Sequence, residues 1–151
     1  MAVKNFKAPV AKLEVVNEKI TVADFMIPRG RLVTFSPDLK IVEAMQILMK
    51  KNISGAPIID ENNHILGIIS ERDCIKKIAD SRYYNIPLYD QTVYDYMRKD
   101  FNFIADSSMN IFDAVNKFCA TKDNRFPVLD GKSVLGQISR RDILKAALSI
   151  M

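Results

Sequence analysis

This chain has little with which to do redox, metal or nucleophilic chemistry. It carries one histidine and two cysteines in 151 residues. His64 stands in a polar turn with no second histidine and no nucleophile nearby, so it reads as a solvated loop residue. Cys74 and Cys119 lack CxxC spacing and read as reduced, partly buried thiols rather than a redox pair or metal ligands. There is no P-loop, no metal-ligand cluster and no Ser/His or Cys/His dyad, which argues against an enzyme. No run approaches the ~18 apolar residues that would cross a bilayer. The opening Met1-Ala2-Val3-Lys4-Asn5-Phe6-Lys7 lacks the apolar stretch of a secretory signal, and the expected compartment is the cytoplasm.

Charge of one sign is not concentrated either. The net charge is +4, but the positive residues are spread along the chain and interleaved with acids. That describes a mildly basic, solvated surface rather than a nucleic-acid footprint. A small ligand bearing phosphate needs only two or three of these cations, so net charge does not decide the question.

What the chain does have is itself, twice. Thr21-Val22-x-Asp24-x-Met26 returns as Thr92-Val93-x-Asp95-x-Met97. Pro57-x-x-Asp60 returns as Pro127-x-x-Asp130, and Leu66-Gly67-x-Ile69-Ser70-x-Arg72-Asp73 as Leu135-Gly136-x-Ile138-Ser139-x-Arg141-Asp142. The offset drifts from 71 to 70 to 69, so the copies differ by single-residue indels, which belong in loops. Such a period exceeds the ~20–50 residues of solenoid repeats and suits a supersecondary unit duplicated once. Neither cysteine has a counterpart in the other copy. The expected organisation is an extension over 1–20, a first repeat over 21–80, a linker over 81–91 and a second repeat over 92–151.

Within a copy, Ser36-Pro37-Asp38 has the grammar of a helix start. Ile41, Ala44, Met45 and Leu48 then recur at helical spacing and predict a core-facing stripe. In the second copy Asp106 takes the cap position, and Ile111, Ala114, Val115 and Phe118 form the stripe. Ala56-Pro57-Ile58-Ile59 and Ile65–Ile69 predict a strand pair around the turn Asp60–Asn63. Phe126–Leu129 and Val134–Ile138 predict its counterpart around Asp130-Gly131. A second helix follows each pair, over 71–80 and 140–150. The order is a short opening segment, strand, helix, strand, strand, helix. Tyr83, Tyr84, Tyr89 and Tyr94 read as linker and interface packing.

The candidate chemistry lies where the second strand gives way to the helix, at Ser70-Glu71-Arg72-Asp73 and Ser139-Arg140-Arg141-Asp142. Free N–H groups and the positive end of the helix dipole favour a phosphate there. The serine can bond a phosphate or ribose oxygen, and the aspartate one turn on can accept from both ribose hydroxyls. The alternative is that both serines are helix caps and both acids only stabilise the first turn. Arg72 and Arg141 read as exposed helix residues.

Val-x-Asp-x-Met, the capped helix, Ser54-Gly55-Ala56-Pro57-Ile58-Ile59-Asp60 and Gly67-Ile68-Ile69-Ser70-x-x-Asp73 together closely resemble the cystathionine-β-synthase (CBS) domain. Two in tandem resemble a Bateman module over roughly residues 20–150. The resemblance implies an α+β fold of two pseudo-symmetric β-α-β-β-α repeats packed as one module. It also implies clefts for an adenosine-containing ligand such as AMP, ADP, ATP or S-adenosylmethionine. Carried over by position, Asp73 and Asp142 hold ribose, Ser70 and Ser139 contact ribose or phosphate, and Thr21 and Thr92 lie near the nucleotide. Ile53, Ser54, Gly55 and Ala56 match the segment whose backbone meets the adenine edge. The second copy departs there, with Asp123, Asn124, Arg125 and Phe126. Arg125 is either a phosphate partner or a surface arginine.

The implied function is a stand-alone, non-catalytic sensor with no required cofactor, forming a homodimer and read by an unidentified regulated protein. The alternatives are an interaction scaffold with empty or side-chain-filled clefts and, less in keeping with the dispersed charge, a nucleic-acid-binding accessory.

Overall fold

The computed structural model describes residues 20–151; the extension read over 1–20 lies almost wholly outside them. The described elements run α1 (Val22–Phe25), β1 (Ile27–Pro28), a 3₁₀ turn (Arg29–Arg31), α2 (Ile41–Lys51), β2 (Gly55–Ile59), β3 (Ile65–Ser70) and α3 (Glu71–Tyr84). They continue with α4 (Val93–Tyr96), α5 (Ile111–Cys119), β4 (Arg125–Asp130), β5 (Ser133–Ser139) and α6 (Arg140–Ile150). Mixed helix and sheet in two like halves is the α+β architecture that the resemblance implies.

The apolar stripes point inward as their spacing requires. Ile41, Ala44 and Leu48 of α2 are buried with Met45 half-buried, and Ile111, Ala114 and Phe118 of α5 are buried with Val115 half-buried. Each fully buried Ile contributes about 2–3 kcal/mol of transfer free energy. The helices begin later than their sequences suggest, however. Ser36-Pro37-Asp38 is a turn, closed by Leu39 N–H to Ser36 O at 3.2 Å and by Ser36 Oγ–H to Asp38 Oδ1. Asp106 likewise stays in a turn, accepting from Ser108 N–H at 2.8 Å and Oγ–H at 2.7 Å. These bonds hold both acids below the usual carboxylate range.

The helices start at Ile41 and Ile111 because the residues before them belong to an inter-segment ladder. Lys40 bridges Thr92, with Ile41 N–H to Gln91 O at 2.9 Å and Val93 N–H to Leu39 O at 2.8 Å. Asn110 bridges Thr21, with Ile111 N–H to Ile20 O at 3.0 Å and Val22 N–H to Met109 O at 2.9 Å. A local cap offers one side-chain bond; the ladder offers several backbone bonds and wins.

That ladder exchanges the opening segments of the two copies. The described residues divide into unit 1 (20–30, 103–130 and 135–151) and unit 2 (31–102 and 131–134). The segment opening the first copy thus folds with the body of the second, and the reverse. In unit 1, β1 adds antiparallel to β5, with Ile27 opposite Gln137 and Pro28 opposite Gly136, giving the sheet order β1-β5-β4. In unit 2, β2 and β3 form an antiparallel pair from Gly55–Ser70 to Ile59–Ile65. Arg98 bridges Ile68 where Ile27 faces Gln137 in the other unit.

Glycine makes both docking contacts feasible. A Cβ on Gly136 would lie 2.4 Å from Ile27 O, and one on Gly67 would lie 2.7 Å from Arg98 O. Helix α3 runs on to Tyr84 and ends at Asn85 in the left-handed conformation (φ 55°), so ordered helix covers the first four residues of the stretch read as linker. Tyr83, Tyr84 and Tyr89 are exposed, with the Tyr83 and Tyr84 rings edge-to-face at 4.9 Å.

Candidate functional site

The two strand-to-helix turns fold alike. Ser70 and Ser139 are extended, and each closes a reciprocal capping box with the aspartate three residues on. In unit 2, Ser70 N–H and Oγ–H both donate to Asp73 Oδ2 at 2.9 Å, and Asp73 N–H donates back to Ser70 Oγ at 3.4 Å. In unit 1, Ser139 N–H and Oγ–H donate to Asp142 Oδ2 at 2.8 and 2.9 Å, and Asp142 N–H returns to Ser139 Oγ at 3.2 Å. The capping role is therefore real in both copies. It uses one carboxylate oxygen and leaves Oδ1 outside the box, with acceptor capacity for a ligand hydroxyl.

Each turn is tied to the segment that opens its hairpin. Glu71 N–H donates to Ser54 O at 2.9 Å, and Gly55 faces Ser70 in the ladder. The fold thus gathers Ser54 and Gly55 beside Ser70 and Asp73, with Ile53 half-buried before them and Ala56 buried after. In unit 1, Arg140 N–H donates to Asn124 O and Arg140 Nε–H to Asp123 O, both at 3.0 Å. Asn124 is exposed there, Arg125 is half-buried at the start of β4, and Phe126 is buried against Phe118 at a ring separation of 4.3 Å. Where unit 2 has small residues, unit 1 has a cation and a packed aromatic pair.

Thr21 and Thr92 fall in the units opposite to those of their own copies. Each caps a one-turn helix, with Thr21 Oγ1–H donating to Asp24 Oδ2 at 3.2 Å and Thr92 Oγ1–H to Asp95 Oδ2 at 3.0 Å. Neither hydroxyl bonds a Ser–Asp turn among the described residues.

One residue at the first turn escaped the sequence reading. Arg98 Nε lies 3.3 Å from Asp73 Oδ1 and 3.4 Å from Oδ2. Its backbone is held by N–H to Ile68 O at 2.8 Å and by Ile68 N–H to its own carbonyl at 3.0 Å, the approach that Gly67 permits. Residue 27 is its counterpart in unit 1, and it is isoleucine. Among the described residues no cation pairs with Asp142, which is 7% exposed. The available signal was that difference directly after Met97 and Met26.

Behind the first turn, Cys74 is buried, and burial, followed by the neighbouring Asp73 and Glu71, pushes its thiol up to about 11. It is therefore protonated and a poor nucleophile near neutral pH. Cys119 is exposed rather than partly buried, because its position at the end of α5 lies off the apolar stripe. His64 is in the hairpin turn as read, its Nδ1 3.8 Å from Asp60 Oδ2. No group of three or more His, Cys, Asp or Glu able to hold a metal occurs among the described residues. No described helix is long and apolar enough to cross a membrane.

Comparison with known proteins converges on one family. The family model described as CBS domain matches residues 22–80 and 93–149. The CBS domain-containing protein CBSX2, chloroplastic, of Arabidopsis thaliana is 27% identical over 158 residues, covering 89% of this chain and 66% of that protein. An inosine-5′-monophosphate dehydrogenase of Aquifex aeolicus (strain VF5) is 30% identical over 114 residues, 75% of this chain but 22% of the enzyme, so the match carries no catalytic assignment. The crystal structure of CBSX2 in complex with AMP superposes with a TM-score of 0.75 at 30% identity, covering 86% of this chain and 97% of that one. The chain thus spans just under two thirds of the first of these relatives and about a fifth of the second.

Proposed function

Since the chain belongs to the CBS domain family, as a tandem pair, we propose that it is a non-catalytic regulatory module that binds an adenosine-containing ligand and signals to a partner protein. The observation that carries this reading is the pair of Ser-x-x-Asp turns, each with a carboxylate Oδ1 outside its capping box and a backbone segment tied alongside. The AMP complex of CBSX2 supports the ligand class. In unit 2, Asp73 and Ser70 receive ribose and phosphate, and the backbone of Ile53, Ser54, Gly55 and Ala56 receives the base, with Thr92 at the margin. In unit 1, Asp142 and Ser139 take the same roles with Asn124, Arg125 and Thr21. Ligand changes the affinity for the partner by as much as the partner changes the affinity for ligand.

We further assign the protein as a homodimer in the cytoplasm, where Cys74 and Cys119 stay reduced. Two apolar faces support the dimer. In unit 2, Met49 of α2 and Ile75 and Ile78 of α3 are exposed beside a groove of about 420 Å³. In unit 1, Leu144 and Leu148 of α6 are exposed, and Leu144 lines a groove of about 340 Å³ with Val115. Large exposed aliphatic side chains, with Ile75 and Leu144 at matching helix positions, are what a second copy would cover.

A thermal-shift panel of AMP, ADP, ATP and S-adenosylmethionine tests the ligand, repeated on Asp73→Ala and Asp142→Ala. A ligand at 100 times its dissociation constant adds about 2.7 kcal/mol to stability. A shift with one adenylate, lost in either aspartate variant, is the expected result and identifies the working turn. No shift with any of them would leave the interaction scaffold as the better reading.

A further inference from the structure

We propose that Arg98 makes the Asp73 turn selective for an adenosine ligand with an anionic 5′ group over the uncharged nucleoside. The inference rests on the adenosine-binding reading of that turn.

A carboxylate that accepts from ribose hydroxyls also stands near whatever the ribose carries at its 5′ position. If that substituent is a phosphate, two anions meet, and the site needs a cation to accept the charge. Unit 2 supplies one. The Arg98 guanidinium has five N–H donors, of which Nε–H alone engages Asp73. Its 3.3 and 3.4 Å separations are long beside the ~2.7–2.9 Å of a tight charge-assisted bond. The side chain is 42% exposed. A loose, half-exposed pair of this kind breaks at little cost. The two terminal nitrogens have no partner among the described residues and can fork onto phosphate oxygens.

The placement is structural rather than incidental. Two backbone hydrogen bonds to Ile68 hold the Arg98 main chain, and the absent side chain of Gly67 lets it approach. A flexible surface arginine would have no such anchorage. At the equivalent ladder position of unit 1, Ile27 offers neither charge nor donors. The two turns therefore match in their caps and in their carboxylates but differ at this ladder position, where only unit 2 sets a cation on the aspartate.

Isothermal titration of the full chain with AMP and with adenosine tests this, on the natural sequence, Arg98→Gln and Arg98→Lys. Arg98→Gln should weaken AMP at one site about tenfold and adenosine less than twofold, while Arg98→Lys keeps most of the AMP affinity. Equal weakening of both ligands would mean a merely structural residue, and no change in either would mean a bystander; both overturn the selectivity and leave the adenosine reading standing. If the natural chain, folded by circular dichroism, binds neither AMP nor adenosine, the adenosine reading itself fails and takes the selectivity with it.

Discussion

Unit 1 and unit 2 are built from the same parts and differ in how two of them are finished. Both dock a borrowed opening segment against a glycine, both run a buried stripe along one helix, and both close a Ser–Asp box at the next. Unit 2 keeps Ala56 and Leu48 in its core and sets Arg98 on its aspartate. Unit 1 fills the corresponding places with Phe126 and Phe118 and sets Ile27 opposite its strand. Duplication has preserved what the fold needs, namely caps, close approaches and stripes, while the segments beside the two turns, Ser54–Ala56 and Asn124–Phe126, have diverged. A position that matches in both copies is thus weak support for binding by itself; a position that differs beside a preserved carboxylate is more telling.

Core volume should give the largest contrast between the units. Phe126→Ala removes a fully buried ring that touches Phe118 and should cost about 4 kcal/mol in urea unfolding. Ala56 offers nothing comparable to remove, so Ala56→Gly should cost far less, near 1 kcal/mol. Similar losses at the two positions would mean that the cores are not differently packed.

Segment docking comes next. Gly136→Ala drives a Cβ to 2.4 Å from Ile27 O with Met26 Sδ at 3.0 Å, and should cost about 3 kcal/mol. Gly67→Ala meets Arg98 O and Met97 Sδ at 2.7 Å, partly a flexible side chain, and should cost about 2 kcal/mol. Thermal melts of the two variants would rank them, and a neutral result at either would remove the close approach as a requirement.

The boxes should behave as equals. Ser70→Ala and Ser139→Ala each lose one cap and should cost about 1 kcal/mol. A markedly larger loss at one of them would show that its turn does more for the fold than its twin.

The last contrast is an alkaline one confined to unit 2, absent at neutral pH. Burial raises Cys74 from its usual 9.0 to about 11 in the fold, so between those values the unfolded chain releases its proton first. Stability contributed by the protonated thiol is complete below pH 9 and is lost as pH rises toward 11. Unfolding measured from pH 8 to 11 should show that decline, and Cys74→Ala should flatten it whereas Cys119→Ala should not. Thiol labelling of the native protein at pH 8 should accordingly reach Cys119 well before Cys74.

Much of the fold was legible because its signals are local and occur twice. The stripes of α2 and α5, the hairpins around Asp60 and Gly131, and the Ser–Asp caps each need only a few adjacent residues. The helix starts misled at Ser36 and Asp106 because their competitor is not local: backbone groups of residues 20–22 and 91–93 take the ladder next to Lys40 and Asn110. The proposed site's first turn was legible as a Ser–Asp pair but not with its cation. Asp73 announces itself by spacing, whereas its arginine lies 25 residues away on a segment that reads as the start of another repeat.

The order of residues along the chain determined the duplication, the inward faces and the two capped turns, and the resemblance to the CBS domain added the α+β class. Only the tertiary structure decided which body each opening segment joins and which carboxylate receives a cation. A short polar-apolar segment such as Thr92–Arg98 fits either copy by its own pattern. Backbone hydrogen bonds to Ile68 and Leu39 hold it in unit 2, and those exist only once the chain has folded.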